Sequence, residues 1–324
     1  MSTPDVNQPE FLNQNFAGQT LPDTSFAGKS LCGCDFSACS LTGADFTGAK
    51  ITGCSFSGAD LTDAIFDKCR LENADLNAAT LCHASFTRAI LTAVRMEGAH
   101  LERALFQETR FADVRWNGAS LAQATLMKLE RLPGFEGCDL TQTHCLSCDL
   151  ADLRISRCNA PMLILQNCRG KLTVENSDLT QCQAMYGDYA ESSFLNTELA
   201  RCAFIGSKLS KSRFTGCNLG ESHFLESSVA FVLFSHAALA KANFSNADCR
   251  GANFTEANLA MADFSHAQIE RAVFDRADLS LTNFHAADIT KASTAGAKLT
   301  SIRTTDQALL KAETFRTPAD ARKG

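Results

Sequence analysis

Ala252-Asn253-Phe254-Thr255-Glu256, Ala257-Asn258-Leu259-Ala260-Met261 and Ala262-Asp263-Phe264-Ser265-His266 follow one another without a gap. The pattern begins at Asn243 and continues through Ala267-Gln268-Ile269, Ala272-Val273-Phe274, Ala277-Asp278-Leu279 and Thr282-Asn283-Phe284. A small residue leads each unit, Asp or Asn often follows, and Leu or Phe comes third. Two variable, mostly polar residues close it. A period of five is neither the strand period of two nor the helix period of 3.6, so the chain is a repeat architecture.

The same unit stands near the N-terminus as Ala44-Asp45-Phe46-Thr47-Gly48, Ala59-Asp60-Leu61-Thr62-Asp63 and Ala74-Asp75-Leu76-Asn77-Ala78. Over nearly the whole chain the pattern resembles the pentapeptide repeat family, whose consensus is A-(D/N)-L-x-x. The resemblance implies an all-β fold: a right-handed quadrilateral β-helix with four pentapeptides per coil. The central residue and the small residue two before it would point inward.

A coil of twenty residues should stack central residues twenty apart. In the C-terminal half Leu179, Leu199, Leu219, Leu239, Leu259, Leu279 and Leu299 form one such ladder. Phe204 to Phe284 and Phe194 to Phe274 form two more, and Leu209, Val229, Cys249, Ile269 and Ile289 a mixed fourth. Leu21 to Leu121, Phe26 to Phe106 and the mixed Leu31, Ile51, Leu71, Leu91 repeat the scheme in the N-terminal half. Phe and aliphatic faces alternate, so large groups oppose one another while smaller ones fill between, and the core closes without voids. Aromatic stacking between coils adds to area burial. The 23 Phe against two Tyr and one Trp suit inward positions, because Phe has no polar atom to satisfy.

Register divides the chain. Residues 1–10 read as a disordered tail. From Phe11 to Leu126 the repeat never slips, giving 24 units. Residues 127–173 form an irregular solenoid, with a turn signal at Leu132-Pro133-Gly134 and a second irregularity at Ala160-Pro161; loops leaving the rod or a kink would both fit. From Val174 to Thr304 the register is again unbroken over 27 units. Some fourteen coils at about 4.8 Å each make a rod on the order of 70 Å long. Residues 305–324 read as a capping helix and tail. Thr305 or Asp306 is the N-cap, the helix runs to about Phe315, and Leu309 or Leu310 covers the last coil near Leu299 and Thr304. Leu309 and Leu310 point in different directions on a helix, so one of them is also a candidate contact for a C-terminal end-to-end homodimer; monomer and dimer both stand.

Cysteine is abundant, at 15. Eleven fall at the small inward position (Cys34, Cys39, Cys54, Cys69, Cys138, Cys148, Cys158, Cys168, Cys182, Cys202 and Cys217), and Cys145 and Cys249 are central residues. Only Cys32 and Cys82 point outward. Their spacing is that of the repeat, so Cys replaces Ala as a small buried group and no disulfide framework is expected. A zinc reading of His144, Cys145 and Cys148 lacks a second pair, and both thiols point inward. So many thiols favour a reducing compartment. Met1 to Glu10 has no basic or apolar region of a signal peptide, and no stretch approaches a membrane span. The expected location is cytoplasmic, with export by a specialised secretion system left open.

No catalytic constellation emerges. The seven His are spread so that no two lie twenty residues apart, and most fall at outward positions. Asp at the pre-central position recurs as part of the repeat and is explained by Asx turns. There is no phosphate-binding glycine loop and no nucleophile elbow. The chain reads as a non-enzyme with no cofactor and no metal. Net charge is −5 over residues 1–126, +1 over 127–173, −3 over 174–304 and +1 over 305–324, so no basic stripe for nucleic acid exists and direct nucleic-acid binding is not expected. Outward apolar residues say more. Met185, Ile205 and Leu225 occupy one outward position in successive coils of one face, with Leu195, Phe231 and Leu233 also outward and Tyr186 and Tyr189 nearby. Together they are the candidate partner-binding residues of a protein–protein interaction scaffold or adaptor. The resemblance implies a bacterial protein, extends to accessory or effector proteins of secretion systems, and offers one alternative. Some members of the family resemble DNA in shape and charge and occupy the DNA groove of a type II topoisomerase. This chain departs from them in length and in its thin, dispersed acidic excess.

Overall fold

A computed structural model describes residues 8–314. The tail expected over residues 1–10 lies, for residues 1–7, outside the described residues, and Glu10 already pairs with Ser30. The fold is a four-sided parallel β-solenoid in which each pentapeptide forms one side of a square coil. The unit around Phe264 shows how. The Asp263 N–H donates to Ala242 O (2.9 Å), the Phe264 N–H to Asn283 O (2.8 Å) and the His266 N–H to His285 O (2.9 Å), so three bonds bind the unit to the coils before and after it. The Ala267 N–H returns to Phe264 O (3.1 Å) and closes the corner. Asp263 Oδ1 accepts from the Ser265 N–H at 2.9 Å, the Asx turn that explains the recurring carboxylates. His266 just past it has a φ of 57°, the corner conformation that glycine fills in many other units.

One ladder runs the whole length of the rod: Glu10, Ser30, Lys50, Arg70, Ile90, Arg110, Glu130, Asp149, Arg169, Asp188, Lys208, Ser228, Asp248, Gln268, Asp288. Two of its steps cover nineteen residues instead of twenty, Glu130 to Asp149 and Arg169 to Asp188. The irregularity in 127–173 is therefore two one-residue deletions absorbed inside coils, and the ladder passes straight through it.

Within the square the two Phe faces oppose each other. Like rings stack along the axis, Phe254 on Phe274 at 5.0 Å and Phe244 on Phe264 at 4.8 Å between centroids. Across the axis Phe254 and Phe264 meet edge to face at 5.5 Å and 88°. Both geometries are favoured by the ring quadrupole. The leucine and mixed faces fill the other two sides, and the core from Phe11 to Leu279 is one continuous cluster.

The small inward position does more than save space. The Cys39 thiol donates to Phe16 O (2.7 Å) and the Cys202 thiol to Leu179 O (3.0 Å); Thr109, Ser212 and Thr282 donate from the same position to a carbonyl of the coil before. Cys, Ser and Thr thus add a donor beside the backbone bond that already ends on the same carbonyl. The reading of cysteine as an apolar filler gave only half of its role.

Two of the three polar-tipped aromatics, Trp116 and Tyr189, sit inside, one at each deletion. Trp116 stacks on Phe135, nineteen residues on, at 5.1 Å, and its indole N–H donates to Gly134 O at 3.0 Å. The Tyr189 hydroxyl donates to Leu165 O at 2.5 Å. Space for the tyrosine ring comes from Gly187, at a small position. A Cβ on Gly187 would run into the ring, and one on Gly170, where φ is 128°, would lie 2.5 Å from Ala151 N. Tyr189, expected beside an outward patch, is instead a core residue with 1% of its surface exposed. Its number already marks a central position in the register; its hydroxyl hid that.

The C-terminal helix α1 spans Gln307–Thr314. Asp306 is its N-cap, with Oδ1 accepting from the N–H groups of Ala308 (2.9 Å) and Leu309 (3.1 Å). The expected extension to Phe315 lies outside the described residues. α1 lies against the side of the rod and not over its end. Ile289 and Leu299 of the last rungs stay 61% and 46% exposed, Leu309 is exposed as well, and Leu310 is half-buried. The helix is held through polar contacts to His285 and His266, which the expected leucine contact did not anticipate.

Candidate functional site

Each side of the coil presents three outward residues: one before the central residue and two after it. On the face centred on Phe264 the first residue after the centre forms a column along the rod. The bonds Asn167 N–H to Met185 O (3.4 Å), Tyr186 N–H to Ile205 O (3.0 Å) and Gly206 N–H to Leu225 O (3.0 Å) place Met185, Ile205 and Leu225 in adjacent coils, all half-buried. Tyr186 is 61% exposed and lies flat on the next coil, where a Cβ on Gly206 would come within 2.7 Å of its ring. The other candidates are not brought together with them. Leu195, exposed, and Leu233, half-buried, lie on the face centred on Phe254. Phe231, exposed, lies on the mixed face with its ring over Gly251.

The column is longer than spacing by twenty revealed. Met127 pairs with Leu146 and Leu146 with Gln166, and the step from Gln166 to Met185 crosses the second deletion. Met127, Leu146, Gln166, Met185, Ile205 and Leu225 therefore form one line over six coils, apolar except at Gln166. Ile164, half-buried, flanks it. Beside it a shallow groove of about 620 Å³ is lined by Gln142, His144, Met162, Ile164, Gln181 and Gln183 together with Arg103 and Gln123. Sequence reasoning missed Met127, Leu146 and Ile164 because the deletions change the spacing to nineteen; realigning the two registers at each deletion would have found them. From His144 to Leu225 the outward positions of this face hold no Asp, Glu, Lys or Arg. Lys128 closes the uncharged band at one end and Glu226 at the other. An uncharged apolar band with a tyrosine in it has the composition of an interface core.

Acidic groups collect on the leucine face as Asp23, Asp60, Asp63, Glu102, Asp139, Asp178, Glu198, Glu221 and Asp278. Cations interrupt them: Arg201 and Lys241 both reach Glu221, at 3.1 and 3.4 Å, and Lys298 reaches Asp278 at 3.2 Å.

A third cluster lies where α1 meets the Phe264 face. Glu313 Oε2 is 3.2 Å from His285 Nε2 and 3.3 Å from His266 Nε2, and the ligand atoms of all three lie within 4.8 Å of one another. His285, expected at the surface, is buried beneath α1. Its Nδ1 accepts from the Asp306 N–H at 3.1 Å, which puts the ring proton on Nε2, directed at Glu313. A metal on Nε2 would need that proton elsewhere, facing the Asp306 donor, so the cluster is a hydrogen-bonded clamp and not a prepared metal site. At the sequence motif His144, Cys145, Cys148, burial holds the Cys145 thiol protonated by raising its pKa well above the usual thiol value, which opposes the thiolate that zinc requires. Among the described residues no helix is long and apolar enough to cross a membrane.

Comparison with known proteins agrees with this architecture. A family model described as a pentapeptide repeat region matches residues 59–131 and 197–274, and one described as pentapeptide repeats matches residues 30–67 and 39–77; together they cover more than half of the chain. Among solved structures, the chain is similar to QnrB1, a plasmid-mediated fluoroquinolone resistance protein, with 15% identity over 94% of this chain and 95% of that one and a TM-score of 0.27. It is similar to HetL, a pentapeptide repeat protein involved in heterocyst differentiation regulation in the cyanobacterium Nostoc sp. strain PCC 7120, with 21% identity over 92% and 90% and a TM-score of 0.15. A pentapeptide repeat protein of the Arabidopsis thaliana thylakoid lumen shares 34% identity over 33% of this chain and 68% of that one, with a TM-score of 0.18. No curated protein matched the chain by sequence.

Proposed function

This chain belongs to the pentapeptide repeat family, and on that premise we propose that it is a non-catalytic docking scaffold that binds a protein partner on the side of the rod centred on Phe264. The uncharged apolar column from Met127 to Leu225 carries this reading. Single exposed apolar groups are ordinary on a protein surface, but a line of them across six coils, cleared of charge, is not. Fifteen free thiols suit a reducing compartment, and the cytoplasm is where we place it. Changing Met185, Ile205 and Leu225 together to Ser tests the reading. The melting curve should shift by no more than a few degrees, while partners recovered by affinity capture from the source cell are lost. An unchanged partner list refutes it.

A DNA-like surface acting on a topoisomerase is the second reading, and the acidic excess of the leucine face is what favours it. Against it, Asn159, Asn218, Ala238 and Asn258 stand in the same column as the carboxylates, and three cations pair with them. A gyrase supercoiling assay separates the two readings, because the scaffold reading expects neither inhibition nor drug protection at micromolar protein.

A further inference from the structure

We infer that the occupant of the uncharged band is an amphipathic α-helix of the partner protein, laid along the rod axis with its apolar stripe on Met127, Leu146, Met185, Ile205 and Leu225. This rests on the docking reading above. The flank of the rod has no free strand edge, because the backbone of each coil is bonded to the coils above and below, as Tyr186 is to Ile205 and Gly206 to Leu225. One N–H per unit is left over on this column, at Met185, Ile205 and Leu225, about 4.8 Å apart along the rod; a strand presents its N–H groups on one edge about 6.6 Å apart, so no ladder can form and recognition runs through side chains.

The same face already carries a helix. α1 lies on it two coils beyond the last repeat of the band, held by His266 and His285, so a helix along this side of the rod already has a precedent within the chain. Spacing fits as well. Successive members of the column are about 4.8 Å apart. Residues three and four apart on a helix rise about 4.5 and 6 Å, so an i, i+3, i+7, i+10 stripe averages about 5 Å per step, close to one column residue each. From Met127 to Leu225 there are five steps, about 24 Å, the length of about sixteen helical residues.

Direction follows from the ends. Lys128 and Glu226 are the charged groups at the two ends; Lys128 also acts electrostatically on the Glu108 carboxylate, which Arg88 pairs at 2.9 Å. A helix N-terminus carries partial positive charge and its C-terminus partial negative charge. The bound helix therefore runs with its N-terminus at Glu226 and its C-terminus at Lys128, and a basic residue near the first end and an acidic one near the second add to the fit.

The test uses fluorescein-labelled, hydrocarbon-stapled peptides of about seventeen residues with Leu at alternating three- and four-residue spacing. One carries Lys at the N-terminal end and Glu at the C-terminal end, and a second has the end charges exchanged. A third, unstapled peptide of the first composition contains proline and cannot be helical. Polarisation titrations against the full-length protein, Ile205→Glu and the mixed-face control Lys211→Glu follow, with melting curves to show that both variants fold. The first peptide should bind, weaken on the order of tenfold with Ile205→Glu, stay unchanged with Lys211→Glu, and bind more tightly than its charge-exchanged partner. If the proline peptide binds as well and is lost with Ile205→Glu, docking on the column stands and the helix is wrong. If no peptide binds, or binding ignores Ile205→Glu, the helix proposal falls; an unchanged partner list in the Ser triple variant then decides separately whether docking falls with it.

Discussion

Replacing Tyr189 by Phe isolates what holds the second deletion in register. The tyrosine ring fills the space left by Gly187, and its hydroxyl donates to Leu165 O at 2.5 Å. In this column the carbonyls of Leu126 and Cys145 accept from the thiols of Cys148 and Cys168, one coil on; at Leu165 the equivalent position is Gly187, which has no side-chain donor, and the tyrosine hydroxyl takes that place. Phenylalanine keeps the ring, so no cavity opens. The variant loses one buried hydrogen bond and leaves a carbonyl without its donor, which costs about 1–3 kcal/mol. In a solenoid each coil contacts only its neighbours, so the loss should be local. Urea unfolding should show the destabilisation. Hydrogen exchange should show faster exchange of amides between residues 165 and 209, with residues 30–100 unchanged. Gly187→Ala provides the companion measurement, because its methyl group runs into the ring and should cost at least as much. Unchanged stability and unchanged protection in Tyr189→Phe would refute the reasoning, and the ring would then hold the deletion by shape alone.

Thiol reactivity should sort the cysteines by position. Under native conditions Ellman's reagent should react first with exposed Cys32. Cys82 should follow slowly, because burial and then the Glu102 carboxylate at 3.2 Å push its thiol up to about 11; the rest should react only on unfolding. Acid should weaken the repeat. The hydroxyls of Thr62 and Ser280, then the backbone N–H groups beside them, hold the carboxyls of Asp60 and Asp278 below the usual range. Their contribution is complete above the unfolded value near pH 4 and is lost as pH falls through the lower folded value. Urea midpoints at pH 7 and near pH 3 should therefore differ less in Asp60→Asn, which keeps the acceptor, than in the parent chain. Glu313→Gln should loosen α1, read as faster proteolysis after residue 304 with the melting of the rod unchanged. Zinc should leave that proteolysis unaltered in the parent chain, because the His285 Nε2 proton occupies the position a metal needs.

Much of the molecule is legible in one dimension because a solenoid makes contacts at a constant sequence offset. The five-residue unit around Phe264 sets which side chains turn inward, since inward and outward are decided within each unit by its own corner bonds and Asx turn. The twenty-residue recurrence of Leu and Phe then sets which of them stack. Those relations fail wherever a contact stops being periodic. Across the two nineteen-residue steps nothing in the spacing says which column continues which, so Met127 and Leu146 joined Met185 only in three dimensions. Tyr189 looks like a surface aromatic until the carbonyl of Leu165 shows why a polar tip is needed inside. Helix α1 was readable from Asp306 and the end of the repeat, but its resting place was not. The side of the rod offers His266 and His285 to Glu313 and the N–H of Asp306, whereas the open end offers only apolar rungs. That preference is a balance of tertiary contacts, and it left Ile289 and Leu299 exposed while burying a histidine that the register had placed in water.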